Sequence, residues 1–274
     1  MPELPEVESV KRALEPVLVG ATFATVELRR KNLRIPFPRR FVDRLVGTTI
    51  TAVTRRAKYL LATLSSGETL LMHLGMTGGF RVTHARIDGG YRSEDGLDDE
   101  RHDHVVFSLS SGATVTFNDA RRFGLMDLVR RGALDAHPVL GRLGPEPLAA
   151  AFDAAALARA CCGKSVALKL ALLDQRVVAG VGNIYASEAL WVAGLSPKRK
   201  AATIATATGR PRPTAERLAA AIVEVLELAI AGTGPRFRVY ERAGGPCLRS
   251  GCTGTIKRIV QGARSTFYCS ICQR

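Results

Sequence analysis

The chain has 274 residues, 46% hydrophobic and 23% charged, a globular mixture with room for a sizeable core and more than one folded unit. Lys and Arg number 39 against 25 acids, giving a net charge of +14, an excess that favours a polyanionic partner, nucleic acid being the commonest. The acidic start, MPELPEVESVKRALEP, lacks the apolar stretch of a signal peptide, and Glu224 and Glu227 break the apolar run 219–231, so no membrane association is expected. The expected compartment is the cytoplasm, where the six cysteines are reduced or metal-bound rather than disulfide-paired.

In chain order, Val7, Val10, Leu14 and Val17 or Leu18 share one face of a helix over 5–18, with acids in its first turn. From about 21 to 130 the pattern changes to short alternating runs: TFATVELR, TITAVTRR, KYLLATLS, ETLLMHLG, VVFSLSSG, ATVTFND and LMDLVRRG. Each is bounded by Gly, Ser, Asp or Asn, the signature of an antiparallel sheet domain. The polar, Gly-rich stretch 84–103 reads as a surface loop. After a turn-rich segment the pattern predicts helices over 152–162, 165–174, 184–193 and 214–231, with 197–213 as a loop.

The last forty residues have little core but hold Cys247, Cys252, Cys269 and Cys272, a C-x4-C…C-x2-C pattern. Two cysteine pairs on Gly- or Ser-containing turns suit a tetrahedral thiolate site, and a module this small needs such a staple. TIKRIV and STFY alternate between the pairs like the strands of a hairpin. The pattern predicts one structural Zn2+, since no residue suggests an open catalytic position. Cys161 and Cys162 are adjacent on a helix and do not converge on one ion.

At the N-terminus, removal of Met1 would leave Pro2 with a free secondary amine, partly neutral near physiological pH. Such an amine can attack a sugar C1′ to form an iminium, and Glu3 and Glu6 beside it can move protons. The same residues also read as an ordinary helix start whose acids complement the helix dipole.

MPELPEVE, RRAKYLL, HLGMTG, HDHV, NDARRFG, LGPEPL, VAGVGNIYASEAL and RSTFYCSICQR occur in this order from Met1 to Arg274. Together they closely resemble the formamidopyrimidine-DNA glycosylase family. The resemblance implies an α+β multidomain chain. An N-terminal helix and antiparallel β-sandwich would occupy 1–132, a helical helix-two-turn-helix domain 133–232, and a β-hairpin zinc finger 233–274. It implies a bacterial, nucleoid-associated base-excision repair enzyme, monomeric, acting on duplex DNA that contains oxidised bases or abasic sites. Pro2 would be the Schiff-base nucleophile, Glu3 the proton donor for ring opening and Glu6 a supporting acid. Lys58 would serve β-elimination and a phosphate, Arg264 δ-elimination and a phosphate. Met76, Arg121 and Phe123 resemble the triad that fills the void left by an extruded base; without the resemblance Met76 and Phe123 would read as core. His73 and His102 resemble backbone-contacting histidines. Asn183, with Lys164 and Lys169 in support, would hold phosphate at the helix opened by Gly180 and Gly182.

One departure stands out. Family members carry a longer Gly- and aromatic-containing segment before the zinc hairpin, where this chain has only AGTGPRFRVYER (231–242), with Glu241 in place of a glycine. Because that segment caps the extruded oxidised purine in relatives, 8-oxoguanine excision is expected to be weaker than that of ring-opened purines. The neighbouring readings are an endonuclease VIII-like glycosylase for oxidised pyrimidines and a non-catalytic binder of damaged DNA.

Overall fold

The computed structural model describes residues 1–83, 97, 99–233 and 237–274. Of the expected loop 84–103, residues 84–96 and 98 lie outside the described residues, and so do 234–236 of the shortened segment. The described chain divides into two compact units, Met1–Pro2 with Glu6–Gly141, and Glu3–Pro5 with Arg142–Arg274.

The first unit is built on α1 (Leu4–Leu18) and two four-stranded antiparallel sheets. One sheet has the order β1 (Phe23–Leu28), β6 (Asp103–Leu109), β7 (Thr114–Asn118), β5 (Gly79–Thr83). The other runs β2 (Ile50–Arg56), β3 (Tyr59–Leu64), β4 (Glu68–His73), β8 (Leu125–Arg130). Phe23, Phe107, Phe117 and Phe80 from the first sheet and Leu60, Leu64, Leu70 and Met72 from the second enter one core with Val7, Val10 and Leu14 of α1. Each such side chain contributes about 1.5–3 kcal/mol on burial, which makes this sandwich a rigid platform for its loops. The periodicity missed α2 (Phe41–Leu45) and β5, both only five residues long. A run that short carries no period, and β5 forms through its pairing with the distant β7.

The second unit contains α3 (Ala154–Cys161), α4 (Leu168–Leu173), α5 (Asn183–Val192) and α6 (Pro213–Ala231). Asp153 caps α3 by accepting from Ala156 N at 2.6 Å, while α6 begins on Pro213. Buried on nearly every side, α5 shows no amphipathic stripe. The C-terminal hairpin pairs β9 (Ile256–Gln261) with β10 (Arg264–Cys269) through Gly262 and Ala263, at φ 54° and 58°, the two-residue turn that matches strand twist. Arg264 is therefore the first residue past the tip.

Candidate active site and nucleic-acid interface

In the second unit the Glu3 carboxylate, 3% exposed, sits on the N-terminus of α5 and accepts from Ile184 N at 2.9 Å and Tyr185 N at 3.3 Å. The first free amides of this helix are thus taken by a carboxylate of the chain itself, a favourable partner for the positive end of a helix. Gly182 makes this possible, because any Cβ there would overlap Glu3 Cδ and both carboxylate oxygens.

Asn183 and Lys169 stand beside it. Lys169 is fully buried and gives its three ammonium hydrogens to Asn183 Oδ1 at 2.7 Å, Ser265 O at 3.0 Å and Thr266 Oγ1 at 2.7 Å. Burial, aided by the nearby Arg264 charge, lowers its pKa to about 8, with Glu3 acting in the opposite sense. Expected as a phosphate contact, Lys169 instead ties Asn183 to the hairpin strand that carries Arg264. Asn183 also donates to Ser265 O at 3.1 Å. Arg264 is exposed, and Lys164 is half-buried.

In the first unit Lys58 follows Ala57 in the turn between β2 and β3, where Ala57 is fully buried at φ 53°. A non-glycine residue held there costs about 1–2 kcal/mol, a strain retained only where the surroundings enforce it. Tyr59 pairs with His73 across β3 and β4, their rings 4.8 Å apart. Burial, with the Lys58 and Arg34 charges, depresses His73 to about pKa 4, so its imidazole is neutral at pH 7. Gly75 N donates to His73 Nδ1 at 3.0 Å, which leaves Nε2 carrying the hydrogen as a donor. His102 lies half-exposed in a short turn, 3.5 Å from Asp99. Pro2 and Glu6 are half-buried.

Two loops of this unit expose side chains that periodicity alone would bury. Met76 is 37% and Phe123 44% exposed, and the Arg121 guanidinium stacks 4.6 Å over the Phe123 ring. The core reading of Met76 and Phe123 therefore fails, because both sit on tight loops beyond the strand ends. Gly75, at φ 68°, lets the first loop lie against the Phe123 backbone, where a Cβ would clash.

The sulfurs of Cys247, Cys252, Cys269 and Cys272 all lie within 4.8 Å of one another, with Cys247–Cys272 and Cys252–Cys269 each 3.7 Å apart. Tetrahedral Zn–S bonds of about 2.3 Å imply sulfurs about 3.8 Å apart, so the four thiolates fit a zinc site. Cys161 and Cys162 take no part.

Sequence reasoning missed Glu188. Its carboxylate, 4% exposed, accepts from three successive amides, Arg238 N at 2.8 Å and Val239 N and Tyr240 N at 2.9 Å, and so anchors the turn leading to the hairpin. Its only sequence signal was an acid inside an otherwise apolar helix. Glu241, the departure from the resembled pattern, takes φ 56°.

A model of the formamidopyrimidine-DNA glycosylase N-terminal domain matches residues 1–126, and a model of the formamidopyrimidine-DNA glycosylase H2TH domain matches 143–239. The chain belongs to the formamidopyrimidine-DNA glycosylase family. It is 54% identical over 297 aligned residues to the formamidopyrimidine-DNA glycosylase of Rhodopseudomonas palustris (strain BisA53), with all of both chains covered. The crystal structure of the MutM (Fpg) protein from Thermus thermophilus is similar at a TM-score of 0.82 and 38% identity, over 99% of this chain and 98% of that one. The Lactococcus lactis Fpg in complex with abasic-site DNA is similar at a TM-score of 0.84 and 28% identity, over 99% of each. The N-terminal helix with its sandwich, the helical domain and the cysteine-bearing hairpin expected from the resemblance are the architecture observed.

Proposed function

We propose that this chain is a base-excision repair glycosylase with abasic-site lyase activity that acts on oxidised purines in duplex DNA. The observation that carries the reading is the Glu3 carboxylate held on the amides of Ile184 and Tyr185, because it fixes the residue bonded to Pro2. With Met1 removed, the Pro2 nitrogen attacks C1′ as the C1′–N bond to the damaged base breaks; the base leaves with the bonding pair and takes a proton from solvent, and the Pro2 N–H proton passes to the Glu3 carboxylate. Glu3 delivers a proton to the sugar ring oxygen, the ring opens, and the nitrogen lone pair completes the iminium. Loss of a C2′ proton then expels the 3′ phosphate, and a second elimination expels the 5′ phosphate.

Lys58 serves the first elimination, Arg264 the second, and both hold phosphates; Glu6 supports Glu3. His73, His102, Lys164 and Asn183 contact the strand backbone, with Lys169 acting through Asn183. Met76 and Phe123 occupy the space of the extruded base, and Arg121 hydrogen-bonds the orphaned partner. One Zn2+ held by Cys247, Cys252, Cys269 and Cys272 braces the hairpin, a closed site that supplies structure rather than chemistry. The working protein is a cytoplasmic, nucleoid-associated monomer in three parts, 1–132, 133–232 and 233–274; none of the described helices is long and apolar enough to cross a membrane.

Borohydride reduction in the presence of an abasic-site duplex tests this reading. A covalent protein–DNA adduct with the wild-type chain, weakened in Pro2→Gly, is expected. No adduct would leave a damaged-DNA binder. With ring-opened guanine and 8-oxoguanine opposite cytosine, excision is expected to be faster on the ring-opened base, given the short 231–242 segment; equal single-turnover rates would refute that preference.

A further inference from the structure

We infer that Asp119 and Thr77 are positioning residues that lock the Met76 loop and the Arg121–Phe123 loop into one wedge, and so set how fast a paired base is expelled. The inference rests on the glycosylase reading and concerns the step before its chemistry.

Asp119 is fully buried at the end of β7, directly after Asn118. Its Oδ2 accepts from Gly124 N at 2.7 Å, and its Oδ1 accepts from Arg121 N at 3.3 Å. One carboxylate thus closes both ends of the loop that carries Arg121 and Phe123. Within that loop Arg122 stands at φ 55°, a conformation that costs about 1–2 kcal/mol and needs such a clasp. The same Oδ1 takes the hydroxyl hydrogen of Thr77 at 2.6 Å, and Thr77 Oγ1 in turn accepts from Arg121 N at 3.2 Å. Thr77 is the residue after Met76. The two loops are therefore joined by a short charge-assisted hydrogen bond at the base of their exposed tips, beside the Gly75 contact. Asp119 is itself fixed, its N–H donating to His102 O at 2.9 Å and its carbonyl 2.8 Å from His104 Nε2.

A wedge of Met76 and Phe123 enters a base stack only if both tips arrive together and neither yields. Two loops that flex separately would spend the contact energy on ordering themselves rather than on unstacking. The Thr77 hydroxyl is the sole element of the clasp that can be removed without disturbing the core, since Thr77 is exposed.

The experiment compares the wild-type chain with Thr77→Val, Thr77→Ser and Asp119→Asn. The probe is a duplex with ring-opened guanine opposite cytosine and 2-aminopurine as the adjacent base, whose fluorescence rises when the stack opens. Thr77→Val, equal in shape, is expected to slow the stack-opening phase about tenfold, as loss of one charge-assisted hydrogen bond allows. Thr77→Ser restores the rate, and Asp119→Asn slows it as well. On an abasic-site duplex, where no base has to leave, borohydride trapping by Thr77→Val stays within about twofold of wild type. An unchanged opening phase in Thr77→Val, or an equal loss on the abasic duplex, would overturn the inference. A wild-type chain that fails to cross-link any duplex would instead overturn the glycosylase reading.

Discussion

Gly182 lies directly under the Glu3 carboxylate, and a methyl group there would occupy the volume of its Cδ and both oxygens. The backbone at Gly182 is extended, at φ −128° and ψ −158°, so alanine meets no conformational barrier and acts through the overlap alone. The Glu3 side chain ends in rotatable bonds and would give way, surrendering its hydrogen bonds to Ile184 N and Tyr185 N.

Gly182→Ala is therefore expected to cost about 1 kcal/mol of stability, the value of a lost cap. Single-turnover excision should fall about 100-fold or more, the scale of a misplaced general acid. A thermal melt run beside a single-turnover assay separates the two quantities. A loss of activity no larger than the loss of folded protein would show that Glu3 does not need its seat on α5.

Lys169 makes stability depend on pH in the alkaline range. Its pKa falls from 10.5 to about 8 in the folded chain, so between those values the unfolded chain holds a proton that the folded chain has released. Stability from this group therefore rises as pH increases from about 8 to about 10.5, and its cost is fully present below 8. Urea midpoints of wild type minus those of Lys169→Met, measured from pH 7 to 10.5, should climb through that window. A flat difference would place the ammonium in a wetter site.

His73 acts at the acidic end. Its pKa of about 4, against an ordinary 6.5, means that the unfolded chain gains a proton that the folded chain refuses as pH falls through this interval. Stability from His73 is whole above about 6.5 and is lost progressively towards 4. His73→Gln keeps an acceptor for Gly75 N and removes the titration, so its midpoint should fall less than that of wild type between pH 6.5 and 4. Proton NMR at pH 7 should show a neutral ring with hydrogen on Nε2.

The contrast between Lys169 and the cysteines shows what was legible beforehand. Four cysteines in two close pairs announce their geometry, since local spacing sets most of it. The same holds for α6, whose start at Pro213 and end before Gly232 are local signals. Lys169 reads in the sequence as a supporting phosphate contact, and its burial is not legible there because its partners lie 14 and 96–97 residues away. Whether Met76 and Phe123 were core or exposed turned on loop closures made by Asp119, 42 residues from Thr77, which no period of 2 or 3.6 encodes. The motifs named the residues, but only the long-range hydrogen bonds said which of them face outward.

Metal removal has a built-in reporter. Trp191, the chain's only tryptophan, donates from Nε1 to Cys247 Sγ at 3.3 Å, and its ring lies under Arg249 at 4.8 Å. Chelation should free the four sulfurs, loosen β9 and β10, and change Trp191 emission in step with loss of borohydride trapping, because Arg264 rides on β10. Helical circular dichroism should change less than the Trp191 signal, since the apolar cluster of α3–α6 contains no hairpin residue. Added Zn2+ should reverse both signals; a fluorescence change without loss of trapping would separate the hairpin from the chemistry.

Glu188 offers the sharpest test of how the hairpin is held. Three consecutive amides converge on its two oxygens, Oε1 taking Val239 N and Tyr240 N and Oε2 taking Arg238 N. In Glu188→Gln one oxygen becomes an NH2 that faces an N–H, so at least one buried donor loses its acceptor and another bond loses its charge. That costs about 1–3 kcal/mol. The loss is local: residues 238–240 lead into the hairpin, and the Tyr240 ring packs on Phe267 at 5.2 Å. Hydrogen exchange should therefore quicken at Arg238–Tyr240 and along β10 while α3 and the sandwich strands keep their protection. Excision should weaken through KM rather than kcat, because a looser hairpin holds the DNA phosphates less well but leaves Glu3 seated on α5. Uniformly faster exchange across the second unit would mean that Glu188 supports the whole helical core instead of the approach to Arg264.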